Sequence, residues 1–197
     1  ILVGQNGHVS SPLVVWLTGG PGGSSIGAFL TEMGPLILNR TGDNIIENPY
    51  AWSTQANMLW LESPPGVGYS YCAEQLDDPN VICSASDETT AAANLDALRA
   101  FLSRFPQYEG RDFFITGESY AGVYVPTLSQ AVYESELMDK LNFLGWADGD
   151  PCTDESTQAA ENGFTQSFSL RHGVIDEVLS RRLASVSYTH LTLPTIE

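Results

Sequence analysis

Gly117-Glu118-Ser119-Tyr120-Ala121-Gly122 is the stretch that decides the architecture. It follows an apolar run, Phe113-Phe114-Ile115, and precedes a segment that reads as helix, Val123 to Glu136. A strand, a sharp turn and a helix, with a serine at the turn, make a nucleophile elbow. Small residues let strand and helix approach closely, so the serine oxygen stands exposed on a strained turn. A serine placed there attacks a carbonyl, and it needs a base to take its proton. Ala121 stands where the generic elbow has its last glycine. The competing reading of so short a match is a turn serine without chemistry, and the surrounding sequence decides between the two.

Upstream, Pro12-Leu13-Val14-Val15-Trp16-Leu17 is a continuous apolar run, suited to a strand buried on both faces. It runs into Thr18-Gly19-Gly20-Pro21-Gly22-Gly23-Ser24-Ser25, which is too rich in glycine for a helix or regular strand. Such a loop presents backbone N–H groups to an anion. A phosphate loop would end in Gly-Lys-Ser/Thr, and no lysine is here. The glycine spacing also fails the dinucleotide pattern GxGxxG. An oxyanion loop after an early strand fits better, with a plain strand-end turn as the alternative.

Ala56 to Glu62 reads as a further strand, closed by Pro64-Pro65-Gly66-Val67-Gly68. A helix follows, capped by Ser86 or Asp87, with Leu95, Leu98, Leu102 and Phe105 on one face and Pro106 as its stop. Asp112 to Thr116 leads into the elbow, Leu141 to Trp146 gives another strand, and Val174 to Leu183 a short helix. Alternating strands and helices predict an α/β fold with a mostly parallel sheet and helices on both faces.

The chain has 197 residues, 43% of them hydrophobic and 10% aromatic, which are globular values. Asp and Glu number 24 against 8 Lys and Arg, giving a formal net charge of −16. That balance argues against nucleic acid and anionic membrane surfaces as partners. No apolar run is long enough to span a membrane. The first residues, Ile1-Leu2-Val3, read as internal to a longer sequence. Residues 186–197 continue no recognisable element and read as a tail, with foreign joined sequence as one explanation. Cys72 and Cys83 bracket a surface-type loop; a bridge between them and two free thiols are both open, and Cys152 has no obvious partner. Asn39-Arg40-Thr41 is a glycosylation sequon.

These motifs, taken in order, resemble the serine carboxypeptidases. Trp16 to Ser25 resembles the family signature WLNGGPGCSS, and Glu32-Met33-Gly34-Pro35 the ExGP that follows it. Asn48 to Ser53 is similar to NPYSW, and Glu62 to Tyr71 to DxPxGxGFSY. Gly117 to Gly122 is the family's GESYAG letter for letter, and Asp148 to Pro151 resembles its GNP stretch. The resemblance implies an α/β-hydrolase fold and a peptide hydrolase that removes residues from C-termini through an acyl-enzyme on Ser119. It implies the backbone N–H groups of Gly20 and Tyr120 as the oxyanion hole. It implies Thr18, Gly19, Glu32 and Glu118 as the subsite for the substrate's terminal carboxylate. Substrates are then peptide or protein C-termini. No cofactor or metal is called for. The compartment implied is the secretory pathway, lysosome or vacuole, or the extracellular space.

Two departures stand out. Thr18 replaces an asparagine, and Gly23 replaces a cysteine that normally joins a disulfide. The order in this fold is Ser, Asp, His. His172 and His190 are the only histidines after Ser119, and neither sits in a catalytic family context. The expectation is therefore a catalytic domain over residues 1–185 that stops before the triad Asp and His, inactive by itself. Two alternatives share the resemblance: an acyltransferase using the same elbow, and a non-catalytic binding or protective homologue.

Overall fold

The computed structural model describes residues 2–3, 11–154, 158 and 164–184. They fall in two compact units, Ile1–Cys152 and Thr153–Glu197. The expected tail over residues 186–197 lies outside the described residues.

The first unit is built on a five-stranded sheet. Its strands are β1 (Leu2–Val3), β2 (Leu13–Leu17), β5 (Asn57–Trp60), β6 (Asp112–Glu118) and β7 (Asn142–Gly149), in the spatial order β1-β5-β2-β6-β7. All neighbours run parallel except β1, which is antiparallel to β5. Helix α1 (Ser25–Thr31) follows β2. A separate hairpin of β3 (Leu36–Leu38) and β4 (Ile45–Glu47) comes next. Helices α2 (Asp87–Arg104), α3 (Ala121–Tyr133) and α4 (Leu137–Lys140) complete the unit.

Strand side chains alternate between two cores, as the period of two requires. Leu13, Val15, Leu17, Leu59, Phe113 and Ile115 point to one face, against Leu98, Phe101 and Leu102 of α2 and Val125, Leu128 and Val132 of α3. Val14, Trp16, Met58 and Trp60 point to the other, against Ala28, Phe29 and Met33. Each fully buried side chain of this size contributes about 1.5–3 kcal/mol, so β2 holds both layers to the sheet.

The predicted helix after Ser86 is present. The Thr89 N–H donates to Ser86 Oγ at 3.2 Å, and the Ser86 N–H donates back to Thr89 Oγ1 at 2.8 Å. Leu98 and Leu102 are buried, while Leu95 and Phe105 pack partly buried on the same core. Other boundaries differ from expectation. β7 continues past Trp146 to Gly149 because β6 still pairs with it there, Glu118 opposite Gly149. The elbow helix begins at Ala121, immediately after the turn, and ends at Tyr133. Helix α1 and the β3–β4 hairpin were not expected. The first is seven residues long with Gly27 inside it, and the second exposes most of its side chains, so neither carries a periodic signal. Cys72 and Cys83 are bridged, and Cys152 is a free, exposed thiol.

The second unit holds α5 (Phe164–Arg171) and α6 (Glu177–Ala184). The expected start at Val174 moves to Glu177, because the Asp176 carboxylate accepts from Leu179 N–H at 2.7 Å and caps the helix.

Leu144 and Trp146 of β7 are each 54% exposed. They line an open apolar cavity of about 720 Å³ with Val14, Met58, Phe114 and Trp52. An apolar surface of this kind takes up hydrophobic dyes. The 197-residue protein is expected to enhance anilinonaphthalene sulfonate fluorescence, and Leu144→Ser with Trp146→Ser to reduce it. Fluorescence unchanged by the double substitution would place the dye elsewhere.

Candidate active site

The strands β2, β5, β6 and β7 all end on one side of the sheet, where sites of open α/β sheets form. Ser119 stands there in the turn between β6 and α3, exposed, with φ at +60°. A non-glycine residue so placed costs of order 1–3 kcal/mol. The turn is held from three sides. Ser119 N–H donates to Gly149 O at 2.9 Å, and Ser119 O accepts from the N–H groups of Gly122 (3.0 Å) and Cys152 (2.8 Å). Gly117 and Gly122 have no room for a side chain: a Cβ would meet Leu17 O or Cys152 O at 2.5 Å. The glycines of the motif are therefore there for close backbone packing.

The glycine-rich loop lies against this turn. A Cβ on Gly19 would strike Tyr120 N and stand 2.6 Å from Glu118 O. Gly20, at φ +116°, needs a conformation that only glycine adopts readily. Gly23 N–H closes the loop on Gly19 O at 2.7 Å, and the Gly22 N–H meets the Tyr124 hydroxyl. Tyr124 packs edge-on against Tyr120, whose own hydroxyl donates to Asp87 at 3.1 Å. Burial raises the Tyr124 pKa, so its hydroxyl stays neutral. Thr18 Oγ1 accepts from Trp16 Nε1 at 2.9 Å, which leaves its proton to donate.

Glu32 is the C-cap of α1, and the backbone beside it is pinned by Asn48, whose Nδ2 donates to Glu32 O (3.0 Å) and Gly34 O (2.9 Å). The Glu32 residue is exposed overall, yet its carboxyl is partly withdrawn from water. That desolvation raises its pKa, and the charge of Glu118 raises it further. The expected residues Gly19, Glu118, Ser119 and Tyr120 are thus in one packed cluster, with Thr18 and Gly20 as chain neighbours of Gly19 and Glu32 within the field of Glu118.

Asp148 was not expected. It lies on β7 opposite Gly117, with both carboxylate oxygens buried and without a hydrogen-bond partner meeting normal geometry. Burial pushes its pKa up to about 6, and Glu118 adds to the rise. The signals in the sequence were an aspartate at the end of an apolar strand and its place at the head of the GNP-like stretch. His172, in the second unit, is exposed; its ring stacks on Phe168 and Nδ1 lies 2.9 Å from Phe168 O.

Comparison with known proteins places this geometry. A family profile described as serine carboxypeptidase matches residues 2–192. The chain belongs to the serine carboxypeptidase family. It is 51% identical over 132 residues to serine carboxypeptidase ctsa-4.1 of Caenorhabditis elegans, covering 67% of this chain and 26% of that protein. It is 39% identical over 186 residues to the lysosomal protective protein of Mus musculus, covering 94% of this chain and 36% of that one. The crystal structure of Kex1Δp, a prohormone-processing carboxypeptidase from Saccharomyces cerevisiae, superposes with a TM-score of 0.73 at 27% identity, covering 94% of this chain and 41% of that one. The fold is the α/β-hydrolase fold. The chain spans about a quarter to a third of the length of the curated relatives it matches.

The two departures from the family signature face each other in space. A Cβ at Gly23 would come within 2.9 Å of Thr18 Cγ2. It would stand equally close, 2.9 Å, to Gly19 O, so the loop backbone as well as the threonine methyl leaves no room for a side chain at position 23.

The Asp148 shift fixes the direction of a pH effect. Its carboxyl ordinarily titrates near 3.8 and in the fold near about 6. The unfolded chain therefore loses this proton first, and stability falls as pH rises through that window. Asp148→Asn removes the penalty. Its unfolding free energy in urea is expected to exceed that of the parent at pH 7 and to match it more closely at pH 4. An equal difference at both values would show that Asp148 does not titrate in this window.

Proposed function

We propose that the protein is a serine-type carboxypeptidase that cleaves C-terminal peptide bonds through an acyl-enzyme on Ser119. The observation that carries this reading is the exposed Ser119 at φ +60°, with the Gly19 backbone packed on the elbow beside it. Ser119 Oγ attacks the scissile carbonyl carbon, and its proton passes to a general base. Negative charge moves to the carbonyl oxygen, where the Gly20 and Tyr120 N–H groups hold it, each worth about 3 kcal/mol. The C–N bond breaks, the amine leaves with a proton, and water hydrolyses the ester. His172 receives no role in this scheme. The base belongs instead to a histidine that follows in family order, which makes residues 1–185 the first part of a catalytic domain.

Thr18, Gly19, Glu32 and Glu118 form the subsite for the substrate's own carboxylate. Like charges held close together cannot all be ionised. The subsite therefore works with shared protons, a neutral glutamic acid donating to the bound anion. The raised pKa of Glu32 supports this, since it keeps the proton to higher pH. The Cys72–Cys83 bridge and the lysosomal name of the mouse relative support an oxidising route, with residence in the lysosome, vacuole or outside the cell.

The full-length enzyme is expected to react with a fluorophosphonate at Ser119 and to lose peptidase activity in Ser119→Ala. Retained activity in that variant would overturn the proposal. The subsite is tested by Michaelis constants from about pH 4 to pH 8 for matched free-acid and amidated peptides. The free-acid constant is expected to rise with pH as the protons leave, and the amide constant to stay level. Glu32→Gln and Glu118→Gln are expected to flatten the free-acid curve. A free-acid constant that is level in the parent enzyme would remove these glutamates from the subsite.

A further inference from the structure

Glu62 lies just past β5, outside every residue assigned above, and its carboxylate is fully engaged. Oε1 accepts from Ser24 Oγ at 2.6 Å, near the end of the glycine-rich loop, and from Ile26 N–H at 3.1 Å, in the first turn of α1 that the loop runs into. Oε2 accepts from Tyr69 N–H at 3.0 Å, and the backbone oxygen of Glu62 accepts from Ser70 Oγ at 2.6 Å. One side chain thus ties the end of β5, the loop that carries Gly20, and the turn over residues 64–70.

That turn is itself fixed. Val67 N–H donates to Pro64 O (3.1 Å), Ser70 N–H to Val67 O (2.9 Å) and Gly66 N–H to Ser70 O (3.2 Å). The Cys72–Cys83 bridge packs on it, with Cys83 Sγ 3.1 Å from where a Gly66 Cβ would sit. Gly68, at φ +56°, leaves the notch that the carboxylate fills: a Cβ there would fall on Glu62 Oε2. A carboxylate only accepts hydrogen bonds, and here three donors converge on its two oxygens.

We propose that Glu62 is the positioning residue of the oxyanion loop. It locks Ser24 and Ile26 against the braced turn, and so fixes the height at which the Gly20 N–H meets the developing oxyanion. The inference rests on the reading of Gly20 as an oxyanion donor. A donor displaced by about 1 Å loses transition-state stabilisation while ground-state binding survives. Glutamine keeps the shape but turns one acceptor into a donor facing Ser24 or Tyr69.

The test uses the full-length enzyme with Glu62→Gln, Glu62→Asp and Ser24→Ala, active sites being counted by fluorophosphonate titration. For Glu62→Gln, kcat per titrated site is expected to fall about ten- to a hundredfold, with KM little changed. Affinity for a peptidyl aldehyde, which forms an oxyanion on Ser119, is expected to fall in parallel, while affinity for the free-acid peptide product holds. Ser24→Ala is expected to give a smaller loss, and the Glu62→Gln, Ser24→Ala pair to be less than additive. Glu62→Asp, which keeps the charge but shortens the reach, is expected to recover part of the loss. A lower melting temperature with kcat per site and aldehyde affinity unchanged would make Glu62 a structural strut only and overturn the proposal. If Glu62→Gln yields no folded enzyme, Ser24→Ala decides by the same two readouts. Peptide hydrolysis that survives Ser119→Ala would instead overturn the underlying peptidase reading.

Discussion

The first unit turns on a backbone contact that leaves no space for a side chain. Strands β2 and β6 are parallel neighbours, with Leu17 opposite Gly117. Each then leaves the sheet on the same side, β2 into the glycine-rich loop and β6 into the elbow. Gly19 lies directly on the Glu118–Tyr120 backbone, and Gly117 on Leu17 O. Any Cβ at either position would push the two loops apart. The register of one strand pair therefore sets where the serine stands relative to the glycine-rich loop.

Holding that contact costs backbone strain at Ser119, of order 1–3 kcal/mol. The strain persists because the turn is over-determined. Gly149, Gly122 and Cys152 hydrogen-bond the Ser119 backbone, and the flanking strand and helix are anchored by Ile115 and Val125, both fully buried. One such side chain contributes about as much as the strained residue costs. The core thus supports the site rather than merely surrounding it. The same logic extends outward to the loop, where the Tyr124 hydroxyl meets the Gly22 N–H and Glu62 holds Ser24 and Ile26.

Much of this was legible in the sequence where a periodic or steric signal exists. The runs at Pro12–Leu17 and Asp112–Thr116, the face of α2 and the glycines of both loops each reflect a local requirement. The Cys72–Cys83 bridge was left open, since spacing alone does not distinguish paired from free thiols. Helix α1 was hidden by its length and by Gly27, and the hairpin by its exposed, unpatterned strands. Asp148 and Glu62 each open a stretch that resembles a family motif, but their roles were illegible for another reason. Their importance comes from neighbours remote in the chain: Gly117 beside Asp148, and Ser24 and Ile26 beside Glu62. No one-dimensional pattern encodes such a partner.

The acidic character of the site gives the positioning of the loop a further weight. Burial raises the pKa of both Glu32 and Asp148, and the negative charge of Glu118 raises both further. On the reading proposed above, each proton lost from Glu32 or Asp148 adds negative field near the carbonyl oxygen on which charge develops when Ser119 attacks the carbonyl carbon. On that reading the Gly20 and Tyr120 N–H groups have to outweigh that field, and hydrogen bonds weaken steeply with poor angle and distance. Glu62 is an acid in the same region, but three donors are spent on it and its charge is largely answered by them. The arrangement thus separates two uses of carboxylates. Glu62 is locked by hydrogen bonds, while Glu32 and Asp148 are partly withdrawn from water, where burial favours their neutral form.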